Sequence, residues 1–161
     1  MKTAIYPGSF DPITKGHLDI IKRASAIFGK VIVAVLKNSA KNALLSVEDR
    51  MSLISRSCAD AGIQNVEVDF FDGLTVDFAK SKNANVLIRG LRAVSDFEFE
   101  MQVSQTNNAL DENLNTVFLI TNPEFNFISS SMVKEIAVMG ADLSKFVPPA
   151  VELYLNNKIK R

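Results

Sequence analysis

Tyr6-Pro7-Gly8-Ser9-Phe10-Asp11-Pro12-Ile13-Thr14-Lys15-Gly16-His17 follows a short apolar run, and helical periodicity begins immediately after it. Two prolines stiffen this stretch, and Gly8 and Gly16 let backbone approach a ligand closely. Downstream, Leu18, Ile21, Ala24 and Phe28 recur at helical spacing until Gly29 stops the pattern. A strand, a tight turn and a helix in that order aim the helix's free first-turn N–H groups at whatever the turn encloses, which favours phosphate. His17, the single histidine of the chain, sits at that point. The stretch predicts a nucleotide site. The plainer alternative is an ordinary turn beside an ordinary histidine, since short motifs carry false positives.

The rest of the chain repeats the strand-then-helix alternation. Strands are expected at 4–6, 30–36, 66–70, 85–88 and 116–120. The β-branched run Val31-Ile32-Val33-Ala34-Val35 suits a strand covered on both faces, as in a parallel sheet. Ser46-Val47-Glu48-Asp49 reads as a capping box for a helix to about Asp60, with Gly62 beyond it. Further helices are expected at 74–82, 94–110, 131–139 and 151–158. Phe97-Glu98-Phe99-Glu100-Met101 alternates with period two, yet Val94, Phe97 and Met101 share a helical face and the flanks are good helix formers. The alternation predicts an α/β fold with an open parallel sheet, whose ligand lies beyond the carboxyl ends of the strands.

Size and composition bound the function. At 161 residues with 47% hydrophobic residues, the chain suits one domain with a proper core and not a disordered segment. Eighteen basic residues balance eighteen acidic ones, against a protein built to coat nucleic acid or an anionic membrane. The amino-terminal segment has no signal-peptide h-region, and no apolar run approaches a membrane span. Cys58 is the one cysteine, so no disulfide framework is available, and a cytoplasmic setting is expected.

Two further elements carry chemistry. Arg89-Gly90-Leu91-Arg92 follows an apolar strand; Gly90 is expected to permit a turn, and two guanidiniums three residues apart can converge on one polyphosphate. Ile128-Ser129-Ser130-Ser131 precedes an amphipathic helix; serines there either cap it or hold phosphate. Lys41 lies in the loop after the second strand, where a lysine can reach a phosphate or simply face solvent. Asp11 has no acidic or histidine neighbours at metal-ligand spacing, so no protein metal cage is expected.

Together, Gly8-Ser9-Phe10-Asp11-Pro12, Thr14-x-Gly16-His17, Arg89-Gly90-Leu91-Arg92 and Ile128-Ser129-Ser130-Ser131 resemble the bacterial phosphopantetheine adenylyltransferases of the nucleotidyltransferase superfamily. The resemblance runs through essentially the whole chain. The stretch from Val86 to Val94, with Asp96, Phe97 and Glu98, is its most specific part. It implies a single nucleotidyltransferase domain over 1–161, Rossmann-like, with about five parallel strands and helices on both faces. It also implies reversible adenylyl transfer from ATP to 4′-phosphopantetheine, giving dephospho-CoA and pyrophosphate in coenzyme A biosynthesis. Mg²⁺, held mainly by phosphates and water, is the implied cofactor, and a homohexamer built as a dimer of trimers the implied assembly.

By position, the resemblance assigns catalysis to His17, Lys41 and Arg89. It assigns ATP to Ser9, Phe10, His17, Arg89, Gly90, Leu91, Arg92, Glu100, Phe125, Asn126, Phe127, Ile128, Ser129, Ser130 and Ser131. Ser9, Lys41, Leu74, Thr75 and Arg89 fall on the phosphopantetheine side. Ser9 stands where threonine is common, and Phe99 where tyrosine is frequent. The nearest rivals are a nucleotidyltransferase with another acceptor and a module that binds ATP without turnover.

Overall fold

The computed structural model describes residues 2–37 and 42–159. Its five strands are β1 (Thr3–Gly8), β2 (Lys30–Leu36), β3 (Val66–Phe71), β4 (Val86–Leu91) and β5 (Asn115–Ile120). All neighbours pair in parallel, in the order β3-β2-β1-β4-β5. The helices are α1 (Lys15–Ile27), α2 (Val47–Asp60), α3 (Thr75–Ser81), α4 (Val94–Leu110), α5 (Ser130–Val138) and α6 (Pro149–Ile159), with a short 3₁₀ turn at Pro123–Phe125.

Strand alternation divides the core into two layers. Ala4, Tyr6, Val31, Val33, Val35 and Ile88 face one side, where Ile20, Ile21, Leu53, Ile54, Val133, Val151 and Leu155 of α1, α2, α5 and α6 cover them. Ile5, Ile32, Ala34 and Leu87 face the other, against Val76 and Ala79 of α3. Phe97 of α4 meets Phe118 of β5 edge-on, with centroids 5.9 Å apart. Central strands covered on both sides explain why 31–35 is uninterrupted apolar sequence. The expected Rossmann-like sheet with helices on both faces is the fold observed.

The chain winds outward from β1 through β2 to β3, then returns to place β4 on the other side of β1. That reversal is the switch point where such sheets bind ligands. The sheet also opens there. β1 pairs with β2 along its whole length, from Thr3 to Gly8, but with β4 only at Ala4 and Ile5. Tyr6, Pro7 and Gly8 thus border a crevice at the carboxyl end of the sheet.

One expectation about β4 is corrected. The strand expected at 85–88, with Arg89 to Arg92 following as a loop, instead runs to Leu91. Arg89, Gly90 and Leu91 pair with Phe118, Leu119 and Ile120, so ladder bonds from β5 override the loop-like composition. Gly90 is therefore not a turn glycine. A Cβ there would meet Ile20 Cγ1 at 3.3 Å, so the missing side chain lets α1 lie close over the sheet. The 94–110 segment is helical as expected, despite its period-two stretch.

Candidate active site

The crevice between β1 and β4 is a cavity of about 290 Å³. Ser9, Phe10, His17, Arg89, Gly90, Arg92, Glu100, Phe125, Ile128, Ser129 and Ser130 of the expected ATP set all line it. Tyr6, Thr14, Gly16, Ile20, Asp96 and Thr121 complete much of the wall. The four sequence motifs converge on one space.

His17 owes its orientation to the start of α1. Thr14 is the N-cap, and its side-chain oxygen accepts the His17 N–H at 3.3 Å. In return the imidazole Nδ1 accepts the Thr14 backbone N–H at 3.1 Å, closing a reciprocal capping box with histidine at the third helical position. A ring nitrogen that accepts an N–H cannot itself carry the proton, so the neutral imidazole is protonated at Nε2. Burial, then the guanidiniums of Arg92 and Arg89, depress its pKa from 6.5 to about 4. The free protein therefore carries a neutral His17 at pH 7, with one fixed N–H to donate. Its ring stands edge-on to Phe10, with centroids 5.1 Å apart.

The two arginines are held by different devices. Arg89 makes a two-point contact with Glu100, at 2.6 Å through Nε and 2.6 Å through Nη2, while Nη1 donates to Pro7 O at 3.0 Å. Burial works against its charge, but Glu100 more than offsets this and raises the pKa. Arg92 donates through Nη1 to Ile128 O at 3.0 Å, and Asp96 receives its Nε at 3.3 Å. The guanidinium planes are thereby fixed before any ligand arrives, which is how preorganised cations stabilise charge.

The serine run divides its labour. Ser129 is the N-cap of α5, accepting from the Met132 N–H at 3.2 Å, as the plainer reading held. Ser130 donates to Pro12 O at 2.8 Å and so ties α5 to the β1–α1 turn. Ser131 borders a second cavity of about 430 Å³, which shares Ser9 and Ser130 with the first. At the start of α1 the Lys15 N–H is taken by Phe146 O at 2.9 Å and the His17 N–H by Thr14, while Gly16, Ser129 and Ser130 at the two helix starts line the first cavity.

Other expected residues fall elsewhere. Leu91 ends β4 and Asn126 closes the 3₁₀ turn. Phe127 is exposed and edge-on to Phe146. Leu74 and Thr75 begin α3, beyond β3, and line neither cavity. Lys41 lies outside the described residues.

The sequence marks Asp11 only as a poor metal ligand and does not single out Arg50, yet both hold the site together. Asp11 is 5% exposed and accepts the Leu44 N–H at 3.0 Å, the Leu45 N–H at 2.9 Å and Lys134 Nζ at 2.9 Å. Burial pushes its pKa up, but these donors together hold it below the usual carboxylate range. It thus ties the β1–α1 turn to residues 44–45 and to α5. A signal existed for the histidine's orientation, because Thr14-x-x-His17 has capping-box spacing. None existed for Asp11, whose partners lie far away in the chain.

The carboxylates on the cavity walls are already engaged, Glu100 by Arg89 and Asp96 by Arg92. Among the described residues no group of three or more metal-ligating side chains occurs. A divalent cation fits here as the companion of a triphosphate, not in a cage of side chains. Among the described residues, no helix is long and apolar enough to cross a membrane.

Comparison with known proteins agrees with this geometry. The cytidylyltransferase-like family matches residues 5–136. The chain resembles the solved nicotinic acid mononucleotide adenylyltransferase of Plasmodium falciparum, with a TM-score of 0.74 at 18% identity over 98% of this chain and 96% of that one. Fold and family together define a nucleotidyltransferase. Its sequence is 54% identical to a phosphopantetheine adenylyltransferase of Lachnoclostridium phytofermentans, over 94% of this chain and 91% of the relative. It is 52% identical to one of Caldanaerobacter subterraneus subsp. tengcongensis, over 100% of this chain and 99% of the relative. The chain belongs to the phosphopantetheine adenylyltransferase family.

Proposed function

We infer that the protein transfers the adenylyl group of ATP reversibly to 4′-phosphopantetheine, forming dephospho-CoA and pyrophosphate in coenzyme A biosynthesis. The observation that carries this reading is a neutral imidazole whose Nε2–H has no acceptor among the described residues, in one cavity with two braced guanidiniums at the sheet's switch point. A phosphate oxygen of the acceptor attacks the α-phosphorus, and the bond to the β-phosphate oxygen breaks as pyrophosphate leaves. The acceptor phosphate is largely ionised at neutrality, its second pKa being about 6, so no general base is required. Positioning and charge stabilisation remain to be supplied.

His17 donates from Nε2 to an α-phosphate oxygen as charge develops there, and bound polyphosphate strengthens this bond by drawing the imidazole toward its protonated form. Arg89 and Lys41 grip the incoming phosphate. Arg92, Ser129, Ser130 and Ser131 hold the triphosphate, with Ser9, Phe10, Gly90, Leu91, Glu100 and residues 125–128 shaping the nucleotide side. Leu74 and Thr75 serve the pantetheine arm. Mg²⁺ supplies charge neutralisation on the triphosphate when it is bound. The working unit in this reading is one domain over 1–161, in a cytoplasmic homohexamer arranged as a dimer of trimers.

The test is pyrophosphate release with ATP and Mg²⁺, comparing 4′-phosphopantetheine with nicotinate mononucleotide and a phospho-alcohol as acceptors. Release confined to 4′-phosphopantetheine is expected, with kcat reduced at least ~10²-fold by His17→Ala. Release with another acceptor, or ATP binding without release, would replace this reading.

A further inference from the structure

Arg50 lies in the first turns of α2 and is 5% exposed. Its Nη1 donates to Ser9 O at 2.8 Å and Leu36 O at 3.3 Å, and its Nε donates to Ser46 O at 3.3 Å. Among the described residues no carboxylate forms an ion pair with it. Residues 38–41 contain no acidic side chain. A cation this deeply set beside a helix N-terminus, with carbonyl acceptors on Nε and Nη1 and no carboxylate partner among the described residues, gains little stability from its position.

What it holds is a strained wall of the catalytic cavity. Ser9 borders both cavities, whereas Arg50 borders only the second. The next residue, Phe10, has φ 48°, a left-handed conformation that side chains with a Cβ rarely adopt. Its ring is 3% exposed and stands edge-on to Tyr6 at 5.3 Å and to His17 at 5.1 Å. Such backbone persists only where its surroundings over-determine it. The Ser9 carbonyl belongs to the peptide bond that leads into Phe10, and Arg50 fixes that peptide from outside the cavity.

We propose that Arg50 is a positioning residue for the transfer step: it clamps the Ser9–Phe10 peptide so that the Phe10 ring holds the His17 imidazole in place. This deepens the role given to His17 above and rests on it. The polar and charged groups that share the cavity with the imidazole are Thr14 on its own cap, Tyr6 on β1, Arg89 and Arg92 at the end of β4, and Asp96 and Glu100 on α4, with the two arginines acting on its charge. Among the described residues no hydrogen bond or ion pair joins any of them to Arg50, whose bond toward the ring is the one to the Ser9 carbonyl.

The single histidine of the chain makes the test clean, because its ring nitrogens give the only imidazole signals. Arg50→Lys keeps the charge and loses the fork, so it separates geometry from electrostatics. In the free protein, nitrogen-15 spectra should show Arg50→Lys raising the imidazole titration midpoint by about one unit, as water reaches a loosened ring. Under saturating substrates kcat should fall about tenfold or more, with KM for ATP within about threefold. Arg50→Met should reproduce both effects; if it does not fold, Arg50→Lys decides alone. An unmoved imidazole midpoint, or unchanged turnover, overturns the proposal. Absence of turnover in the unaltered protein would instead remove the adenylyl-transfer reading, while the spectra would still report on the clamp.

Discussion

The depressed basicity of His17 makes folding stability depend on pH in a way that one substitution should erase. The imidazole titrates near 6.5 when unfolded and near 4 when folded. A group whose folded pKa is depressed stabilises the fold fully above the unfolded value, and that contribution is lost as pH falls through the folded one. From pH 7 to pH 5 the unfolded chain takes up about 0.7 of a proton at this ring, while the folded chain takes up about 0.1. Integrating that difference gives about 2 kcal/mol, and because the ring borders a cavity open to water we expect about 1 kcal/mol. His17→Gln removes the titrating group and keeps a side chain that can accept from the Thr14 N–H. Urea unfolding should be followed by far-ultraviolet circular dichroism, since the chain has no tryptophan. The loss of stability between pH 7 and pH 5 should be about 1 kcal/mol larger for the unaltered protein than for His17→Gln. Carboxylates common to both proteins cancel in that difference. Equal losses would refute the neutral, Nδ1-accepting histidine.

Other perturbations test other parts of the site. Glu100→Gln strips the charge that braces Arg89, whose side chain is 26% exposed, and should lower stability in urea by about 1–2 kcal/mol. Its KM for 4′-phosphopantetheine should rise as Arg89 loosens. Gly90→Ala places a methyl 3.3 Å from Ile20 Cγ1 and should lower the melting temperature by about 3 °C, read by calorimetry. Lys41→Ala should weaken 4′-phosphopantetheine binding in calorimetry at least ~10-fold while leaving ATP affinity almost unchanged, and equal loss of both would contradict the division of roles.

Much of the architecture was legible because its signals are local. Continuous β-branched sequence at 31–35 marks a strand covered on both sides, and Thr14-x-Gly16-His17 after a Gly/Pro turn marks the helix that opens on the cavity. The end of β4 was not legible, because Arg89-Gly90 has loop composition and becomes strand only by pairing with Phe118 and Leu119 of β5. Gly90 was misread for the same reason: its constraint is Ile20 on a packed helix, which no local pattern reveals. His17 was found from its motif, whereas its depressed pKa comes from burial and from arginines more than seventy residues later in the chain. Asp11 and Arg50 do their work through residues brought near by folding, Lys134 in one case and Ser9 in the other. Sequence spacing carries no trace of either contact.

The direct test of the account is the position of the α-phosphorus in a complex with a non-hydrolysable ATP analogue. We expect an α-phosphate oxygen at hydrogen-bond distance from His17 Nε2, about 3 Å, with the Arg89 and Arg92 guanidiniums turned toward the phosphates. An α-phosphate lying well away from the imidazole, with the adenine in its place, would contradict it.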